Sequence, residues 1–373
     1  MVTERYKSWL GYAGGWCQYA YLRTILRTIA RWSPLKDPEE GYTVIIGVPW
    51  QLWELIDIPL LSLQRADMSS CREVILAVDT TEAQLKQKYG TDRVAKTLEN
   101  YADLQPRLLY YNEWQNLICR VLRWNWVDCW LTWVIGLAKT NTRFALLHDF
   151  DAVVIDPEFC EKHFKMIAET DRAFVGVQID KAFDYYQGDK VFRTIELMLD
   201  ASLVRSLFAP VDLFNRPRRL RKARILCDIL RDIQLRLPRQ KRLFHKLEED
   251  QIVHPSQVVS QWHQLREATG SFTPIDYSPL FVIPYFRHLT GDSTSLISLT
   301  ENLRAGNMVI EFEGNSLDLS SLNETGRDWI AKQIERLDIY FSGTVTEIVK
   351  TYCEQIRLYN SNSIVALHKC GMN

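Results

Sequence analysis

Short apolar runs alternate with helical segments from Gly41 to about residue 180, and this alternation constrains the fold more than any other feature. The runs YTVIIGV and EVILAV are rich in β-branched residues and are followed by polar residues or proline, which is typical of buried strands. The stretches between them carry apolar residues at helical spacing. Alternating strands and helices indicate a largely parallel α/β sheet, whose ligands bind at the carboxyl ends of the strands.

The predicted elements cover most of the chain. An N-terminal helix is expected around residues 19–32, since Leu22, Ile25, Leu26 and Ile29 have helical spacing. Further helices are predicted at residues 52–64, 81–99 and 117–139. The predicted strands are residues 42–48, 73–78, 107–111, 144–147, 174–179, 280–283 and 363–367.

The composition is that of a globular protein and excludes several other classes. Of 373 residues, 47% are hydrophobic and 24% are charged, with a net charge of −1, so neither a disordered chain nor a nucleic-acid partner is expected. The eight cysteines form no CxxC pair, which favours reduced cysteines in a cytoplasmic protein over a zinc site or disulfides. Charges interrupt every long apolar stretch, so we expect no transmembrane helix, and the N-terminus has no signal-peptide pattern.

The segment from residue 181 to about 265 interrupts the alternation and is predicted to be helical. Within it, residues 216–246 hold twelve Lys or Arg and two Asp, a local charge of +10 in a chain that otherwise sums to −11. Such a segment can be a solvated face, or it can contact anionic lipid headgroups or an anionic acceptor. A basic amphipathic helix is predicted here from the spacing of Leu226, Ile229, Leu230, Ile233 and Leu237.

Two carboxylates follow the predicted strand at residues 144–147 in the sequence FALLHDFDAVVID. The end of a strand in an α/β sheet places Asp149 and Asp151 in the crevice where ligands bind. Carboxylates two residues apart can share a divalent cation, which keeps open positions for phosphate oxygens. Asp79 ends an earlier predicted strand. The pattern predicts a metal and phosphate site, and the alternative is a turn whose aspartates satisfy loop amides.

Residues 42–179 resemble the nucleotide-binding half of glycosyltransferases of the GT-A fold, especially the family-2-like enzymes. TVIIGVPW resembles their first strand with its closing proline, and EVILAVDTT resembles the second strand, whose terminal aspartate contacts the base. LTWVIGLAKTNTRFALLHDFDAVVID resembles the helix, turn and strand that lead into their DxD motif, and RAFVGVQ resembles the strand after it. The resemblance implies a GT-A-like Rossmannoid mixed sheet flanked by helices, to which the N-terminal helical extension and the helical insertion are added.

The resemblance also implies roles for particular residues. Pro49 and Asp79 would border the nucleoside, while Asp149 and Asp151 would hold the ribose and the metal-bound diphosphate. At the C-terminus, EQIRLYNSNSIVALHKCG resembles the last strand of such enzymes, which often ends in a histidine that reaches the metal or the diphosphate. His368 is therefore the third expected metal ligand.

The catalytic base is indicated less directly. Inverting enzymes of the family carry an acidic motif at a helix start before the terminal histidine, but the corresponding segment here reads SGTVTEIVKTY, with no Glu-Asp pair. Glu347 is the nearest carboxylate and is the predicted base. The competing site is LEEDQ, with Glu248, Glu249 and Asp250. Whether transfer inverts or retains the anomeric configuration stays open.

The expected activity is transfer of a hexose from a UDP- or GDP-sugar, with Mg²⁺ or Mn²⁺, to the hydroxyl group of a glycan or a lipid-linked acceptor. A cytoplasmic location is expected, and peripheral contact with an anionic membrane at its inner face, through residues 216–246, is an alternative. The predicted segments are an N-terminal helical extension (1–40), a nucleotide-sugar-binding half (41–180), a helical basic insertion (181–270) and an acceptor-side half with the C-terminal elements (271–373).

Two other hypotheses remain. The DFDAVV sequence after a strand also matches the motif of haloacid-dehalogenase-type phosphohydrolases, in which Asp149 would be the nucleophile and Asp151 the acid/base. In that family the motif usually follows the first strand, whereas here at least three predicted strands precede it. The third hypothesis is a non-catalytic nucleotide-sugar-binding protein, which the missing acidic pair would explain.

Overall fold

The structure is a computed structural model. It describes residues 6–221, 223–248, 251–255, 258–267, 271–272, 277–320, 322 and 324–359. By internal packing the chain divides into two compact units, of which the first holds the residues up to 53 together with 60–150 and 156–251, and the second holds 54–59, 151–155 and the residues from 252 onwards. These two units are defined by packing and carry no information about function. The functional roles predicted for the four sequence segments therefore stay predictions.

The strands and helices occur in the following order. The strands are β1 (Glu39–Val48), β2 (Cys71–Val78), β3 (Pro106–Tyr110), β4 (Thr142–His148), β5 (Val153–Val154), β6 (Phe174–Gly176), β7 (Leu197–Asp200), β8 (Arg216–Arg219), β9 (Arg224–Cys227), β10 (Arg242–Phe244), β11 (Ile252–Val253), β12 (Ser271–Phe272), β13 (Val309–Phe312) and β14 (Asn315–Asp318). The helices are α1 (Trp9–Ile29), α2 (Asp57–Gln64), α3 (Glu82–Tyr89), α4 (Thr91–Asn100), α5 (Glu113–Leu122), α6 (Asn125–Lys139), α7 (Phe159–Ala168), α8 (Lys181–Gln187), α9 (Ala201–Leu207), α10 (Arg231–Arg236), α11 (Val258–Glu267), α12 (Ser278–Leu289), α13 (Thr294–Arg304), α14 (Glu324–Ser342) and α15 (Glu347–Leu358).

A seven-stranded sheet forms the centre of the first unit, in the order β10-β6-β7-β4-β1-β2-β3. Its neighbours are parallel except at β7, which runs antiparallel to both β4 and β6. The central strands β1, β2 and β4 are buried along most of their length, which explains their continuous apolar runs. The predicted α/β class, with a mixed sheet flanked by helices, is confirmed.

Close packing of a helix on this sheet depends on one glycine. Gly136 of α6 lies against Ile45 of β1, and a Cβ atom at position 136 would come within 2.4 Å of Ile45 Cγ2. Any larger residue would therefore have to displace α6 from the sheet. Trp130 and Leu137 on the same helix are fully buried in the core, so this contact helps to fix the helix that leads into β4.

Three predicted helices are each divided in the structure. The helix predicted over residues 81–99 is divided at Gly90, whose φ of 84° lies in the left-handed region that glycine tolerates. The helix predicted over residues 117–139 is divided at Arg123, which has a φ of 49° and ends α5. Residues 52–64 are divided as well, into a 3₁₀ turn (Trp50–Leu55) and α2. Helical periodicity therefore located these segments but missed the breaks inside them.

The strand predicted at residues 280–283 is wrong, because these residues lie in α12. The run LFVIPYF is buried through Phe286, and a short buried helix shows the same unbroken apolar sequence as a buried strand. Pro279 stands in the first turn of α12, where its missing N–H costs nothing. This helix belongs to the second unit, in which the Tyr352 hydroxyl of α15 donates to the carbonyl oxygen of Phe281 at 2.8 Å.

The insertion over residues 181–270 is mixed rather than helical, and the amphipathic helix predicted around Leu226–Leu237 is wrong. Strands β8 and β9 form an antiparallel hairpin, and the apolar stripe runs from β9 through a turn into the short helix α10. Leu230, at that turn, has a φ of 64°, which ends any regular helix. The segment also supplies β7 and β10 to the central sheet. The apolar residues of the insertion face the core at strand spacing in one part and at helical spacing in another. Periodicity alone therefore could not distinguish strand from helix here.

Buried aspartates neutralise much of the positive charge of residues 216–246. The carboxylate of Asp232, which is 1% exposed, lies 3.3 Å from Arg216, 3.0 Å from Arg218 and 2.7 Å from Arg236. Asp180 and Asp189 make comparable ion pairs with Arg231 and Arg242. The segment of charge +10 is therefore in large part an internal ion-pair network, and the arginines without such partners are a smaller set.

Candidate active site

The carboxyl ends of β1, β2 and β4 meet at one edge of the central sheet. The three strands are parallel neighbours, and the chain leaves β1 toward β2 and β3 on one side before it returns to β4 on the other. Such a reversal of strand order opens a crevice at the strand ends, where ligands bind in open α/β sheets. The residues that follow the three ends are Pro49, Asp79 and Asp149.

Asp79 is held in place by the backbone. Its Oδ1 atom accepts a hydrogen bond from the N–H of Trp50 at 2.6 Å, and its own N–H donates to the carbonyl oxygen of Val48 at 3.1 Å. Burial, together with the neighbouring carboxylate of Asp128, raises the pKa of Asp79 well above its ordinary value. A desolvated carboxyl group at a strand end is suited to hydrogen bonding a bound nucleoside.

Asp149, Asp151 and His254 form a cluster that could hold a metal ion. One ligand atom from each lies within 4.8 Å of the other two. Two carboxylate oxygens and one imidazole nitrogen form a ligand set that suits a divalent cation such as Mn²⁺ and accommodates Mg²⁺. The donor chemistry therefore fits the metal that the DxD motif predicts.

Asp151 is the most buried member of this cluster and is oriented by two contacts. Its Oδ1 lies 3.3 Å from Nε2 of His254, and its Oδ2 accepts the N–H of Val258 at 3.0 Å. Burial tends to raise the pKa of Asp151, but His254 and the backbone N–H groups outweigh it and hold that pKa below the ordinary value. The carboxylate is thus kept ionised, as a metal ligand must be.

His254 was missed by the sequence analysis. It directly follows β11, which pairs with β5 just after Asp151, and this pairing brings the histidine to the carboxylate. The sequence signal for it is its position shortly after LEEDQ, a segment that the sequence analysis singles out only for its carboxylates. His368, the predicted metal ligand, lies outside the described residues together with the predicted strand 363–367, so both stay predictions.

The structure does not favour either candidate for the catalytic base over the other. Glu347 begins α15, its side chain is 88% exposed, and it lies 3.6 Å from Lys350. None of the contacts described for it involves Asp149 or Asp151. Glu248 is exposed and its N–H donates to Gln251, while Glu249 and Asp250 lie outside the described residues. The catalytic base therefore stays a prediction.

His148 belongs to a buried polar network. Its Nδ1 lies 2.9 Å from the carboxylate of Glu196, and both side chains are fully buried. The carbonyl oxygen of Glu196 lies 2.9 Å from Nε2 of His163, whose Nδ1 lies 2.9 Å from Nδ1 of His245. The ring of Phe159 stacks on both His163 and His245. These contacts link the three histidines, Glu196 and Phe159 in one packed polar network.

This network predicts an acid-sensitive stability. Burial and the adjacent His245 lower the pKa of His163 to about 3, from an ordinary 6.5. Between these values the unfolded chain takes up a proton that the folded chain refuses, so stability should fall as the pH drops below about 6.5, by up to about 1.4 kcal/mol per pH unit. Urea unfolding between about pH 7 and about pH 5 measures this slope. His163→Gln should flatten it, and an equal slope in the variant would contradict the assignment.

No protein-family model matches the sequence, and no curated protein matches it. Among solved structures, the chain is similar to the galactosyltransferase LgtC in complex with donor and acceptor sugar analogues, with a TM-score of 0.42 and 11% identity over 82% of this chain and 96% of that one. It is also similar to the mannosyltransferase PcManGT from Pyrobaculum calidifontis in complex with GDP-Man and Mn²⁺, with a TM-score of 0.35 and 12% identity over 89% and 94% of the two chains.

A third similar structure is the 4-diphosphocytidyl-2C-methyl-D-erythritol synthase from Anaerococcus prevotii, with a TM-score of 0.35 and 13% identity over 58% of this chain and 90% of that one. Likenesses of this size do not establish a function.

None of the helices formed by the described residues combines the length and the apolar character that crossing a bilayer requires.

Proposed function

We propose that this protein transfers a sugar from a nucleotide-sugar donor to a hydroxyl group of an acceptor, in a metal-dependent reaction. The observation that carries the proposal is the cluster of Asp149, Asp151 and His254, whose two aspartates directly follow β4, the strand at which the order of the sheet reverses. A cation held there lies at the position where an open α/β sheet binds nucleotide phosphates.

Each residue of the cluster has a distinct part. Asp151, which is buried, would hold the ion from within the protein, while Asp149 and His254, which are both less buried, would complete the site. When bound, the ion neutralises the negative charge that builds up on a departing diphosphate. Mn²⁺ is favoured over Mg²⁺ because one of the ligands is an imidazole nitrogen.

Pro49 and Asp79 are proposed to border the nucleoside of the donor, which is a UDP- or GDP-sugar. Pro49 ends β1 and is buried, so it shapes the crevice wall without contributing a polar group. Asp79 offers a fixed carboxyl oxygen for the base or ribose. For the acceptor hydroxyl, either Glu347 or the acidic group at residues 248–250 is proposed as the base.

A direct test of the proposed function begins with donor turnover. The purified chain is incubated with UDP- and GDP-hexoses and Mn²⁺, and release of nucleoside diphosphate is followed with and without a panel of glycan and lipid-linked acceptors. Release that depends on Mn²⁺ and increases with an acceptor supports a transferase. Formation of an aspartyl-phosphate mimic on Asp149 would favour the phosphohydrolase instead. Tight nucleotide-sugar binding without turnover would favour a non-catalytic binding protein.

The position of the nucleoside gives a separate prediction. Asp79→Ala should weaken binding of the nucleoside diphosphate by about 0.5–1.5 kcal/mol, because it removes one hydrogen bond to the nucleoside. Isothermal titration calorimetry in the presence of Mn²⁺ measures this loss. Mn²⁺ binding by Asp149 and Asp151 should be retained in the variant. Unchanged nucleotide affinity would show that the end of β2 does not border the donor.

A further inference from the structure

The N-terminal helix α1 has an exposed face without charge. Residues 9–22 contain no Asp, Glu, Lys, Arg or His. Leu10 and Tyr21 on this helix are 86% and 65% exposed, and Gly14 and Cys17 lie at the intervening helical positions and are exposed too. A helix face in contact with water usually carries charged residues, so three turns of uncharged surface indicate a face adapted to another medium.

The opposite face of α1 is firmly attached to the first unit. Leu22, Leu26 and Ile29 are buried in the main core, and Arg23 pairs with Asp212 at 3.0 Å. The side chain of Gln115 donates to the carbonyl oxygen of Ile29 at 2.8 Å. The uncharged face is therefore presented outward by a helix whose other side is held in place.

A basic groove of about 240 Å³ lies at the N-terminal end of α1, between the helix and the β8–β9 hairpin. Tyr6 and Trp9 line one side, and Arg219, Arg221 and Arg224 line the other. The guanidinium groups of Arg219 and Arg224 lie 5.6 Å and 4.6 Å from the centre of the Trp9 ring. These cation–π contacts hold the two guanidinium groups beside the exposed ring of Trp9.

The three groove arginines differ from their neighbours on the hairpin. Arg216 and Arg218 are neutralised by the buried Asp232, whereas no acidic side chain among the described residues pairs with Arg219, Arg221 or Arg224. The Nη1 atom of Arg224 is buried and has no hydrogen-bond partner in the described part of the chain. The groove thus concentrates uncompensated donors, a property suited to phosphate oxygens.

We propose that this surface binds an anionic membrane, with the arginines on lipid phosphates and the uncharged face of α1 in the headgroup region. The combination of an uncharged helix face, an exposed tryptophan and adjacent arginines is that of a helix lying in a bilayer interface. Charge complementarity favours anionic lipid over a protein partner, because the apolar and the basic parts occupy adjacent strips of one surface. This inference goes beyond the proposed transferase activity and does not depend on it.

The test measures co-sedimentation with phosphatidylcholine vesicles that contain either no anionic lipid or about one third phosphatidylserine. The wild-type chain should bind the anionic vesicles at low salt and dissociate at high salt. The triple variant R219Q/R221Q/R224Q should bind about 100-fold more weakly, from about fivefold for each arginine. The control variant R93Q/R120Q/R304Q removes the same charge from exposed arginines elsewhere and should bind like the wild type.

A second pair of variants tests the apolar contribution without touching the groove. Leu10→Glu places a charge on the uncharged face at a position too exposed to disturb folding, and it should weaken vesicle binding by about tenfold. Its control is Leu358→Glu, on a residue of α15 that is 72% exposed. Absence of wild-type binding to anionic vesicles at low salt, or equal losses in test and control variants, would overturn the proposal. Nucleotide affinity should not change in any of these variants.

Discussion

Asp151→Asn is expected to reduce the affinity for a nucleoside diphosphate in the presence of Mn²⁺ by about 100-fold, or about 3 kcal/mol. The change removes the negative charge of the most buried group in the cluster while keeping an oxygen that can accept the N–H of Val258. Without that charge the cation is held less firmly, and the diphosphate then meets Asp149 without neutralisation. Calorimetric titration with UDP and GDP, with and without Mn²⁺, measures the effect.

Asp156→Asn provides the matched control. Asp156 follows Asp151 on the same stretch of chain, but its carboxylate caps the N–H of Glu158 and lies 3.5 Å from Lys162, outside the metal cluster. The Asp156→Asn variant should bind the nucleotide with the same affinity as the wild type. If the wild-type chain binds the diphosphate equally well in EDTA, the site is not a metal site, and the assignment of Asp151 fails.

Asp232→Ala is expected to destabilise the protein by about 2–4 kcal/mol. Loss of this one carboxylate leaves three arginines without their shared counter-ion, and removing one partner of a buried ion pair typically costs 3–5 kcal/mol. The expected loss of stability is smaller than this typical value because each of these arginines is about a quarter exposed and partly solvated. Urea unfolding followed by circular dichroism gives the free energy of unfolding.

The control for this effect is Asp171→Ala. Asp171 also forms an ion pair, with Lys241, but its side chain is 91% exposed. Because exposed ion pairs add little to stability, this variant should unfold at the same urea concentration as the wild type. Equal stability of both variants would mean that the arginines around position 232 are solvated well enough not to need the carboxylate.

The sequence predicted the part of the fold that surrounds the candidate site. The strands β1, β2 and β4 are central, so both of their faces are buried and their sequences are continuously apolar. Each is followed directly by a proline or an aspartate, and this local signal identifies Pro49, Asp79 and Asp149 from the sequence alone. The DxD motif could be read because its residues are close together in the chain.

Other parts depend on contacts between distant residues and could not be predicted in this way. The pairing of β5 with β11 brings His254 to Asp151 across about a hundred residues, and no periodicity records such a contact. The apolar run of α12 is too short and too uniform to distinguish helix from strand. Residues 216–246 carry a charge of +10 by sequence, but some of the carboxylates that neutralise it lie outside that segment, at Asp180 and Asp189.

The position of β1 in the middle of the sheet has a consequence for synthesis and truncation. Its two partners are β2, about thirty residues later, and β4, about a hundred residues later. A nascent chain or a fragment that ends before Thr142 would therefore present one long apolar edge of β1 without its partner, and such an edge invites pairing with other chains. We expect fragments ending within α6 to aggregate, whereas those that extend through β7 should be soluble enough to fold.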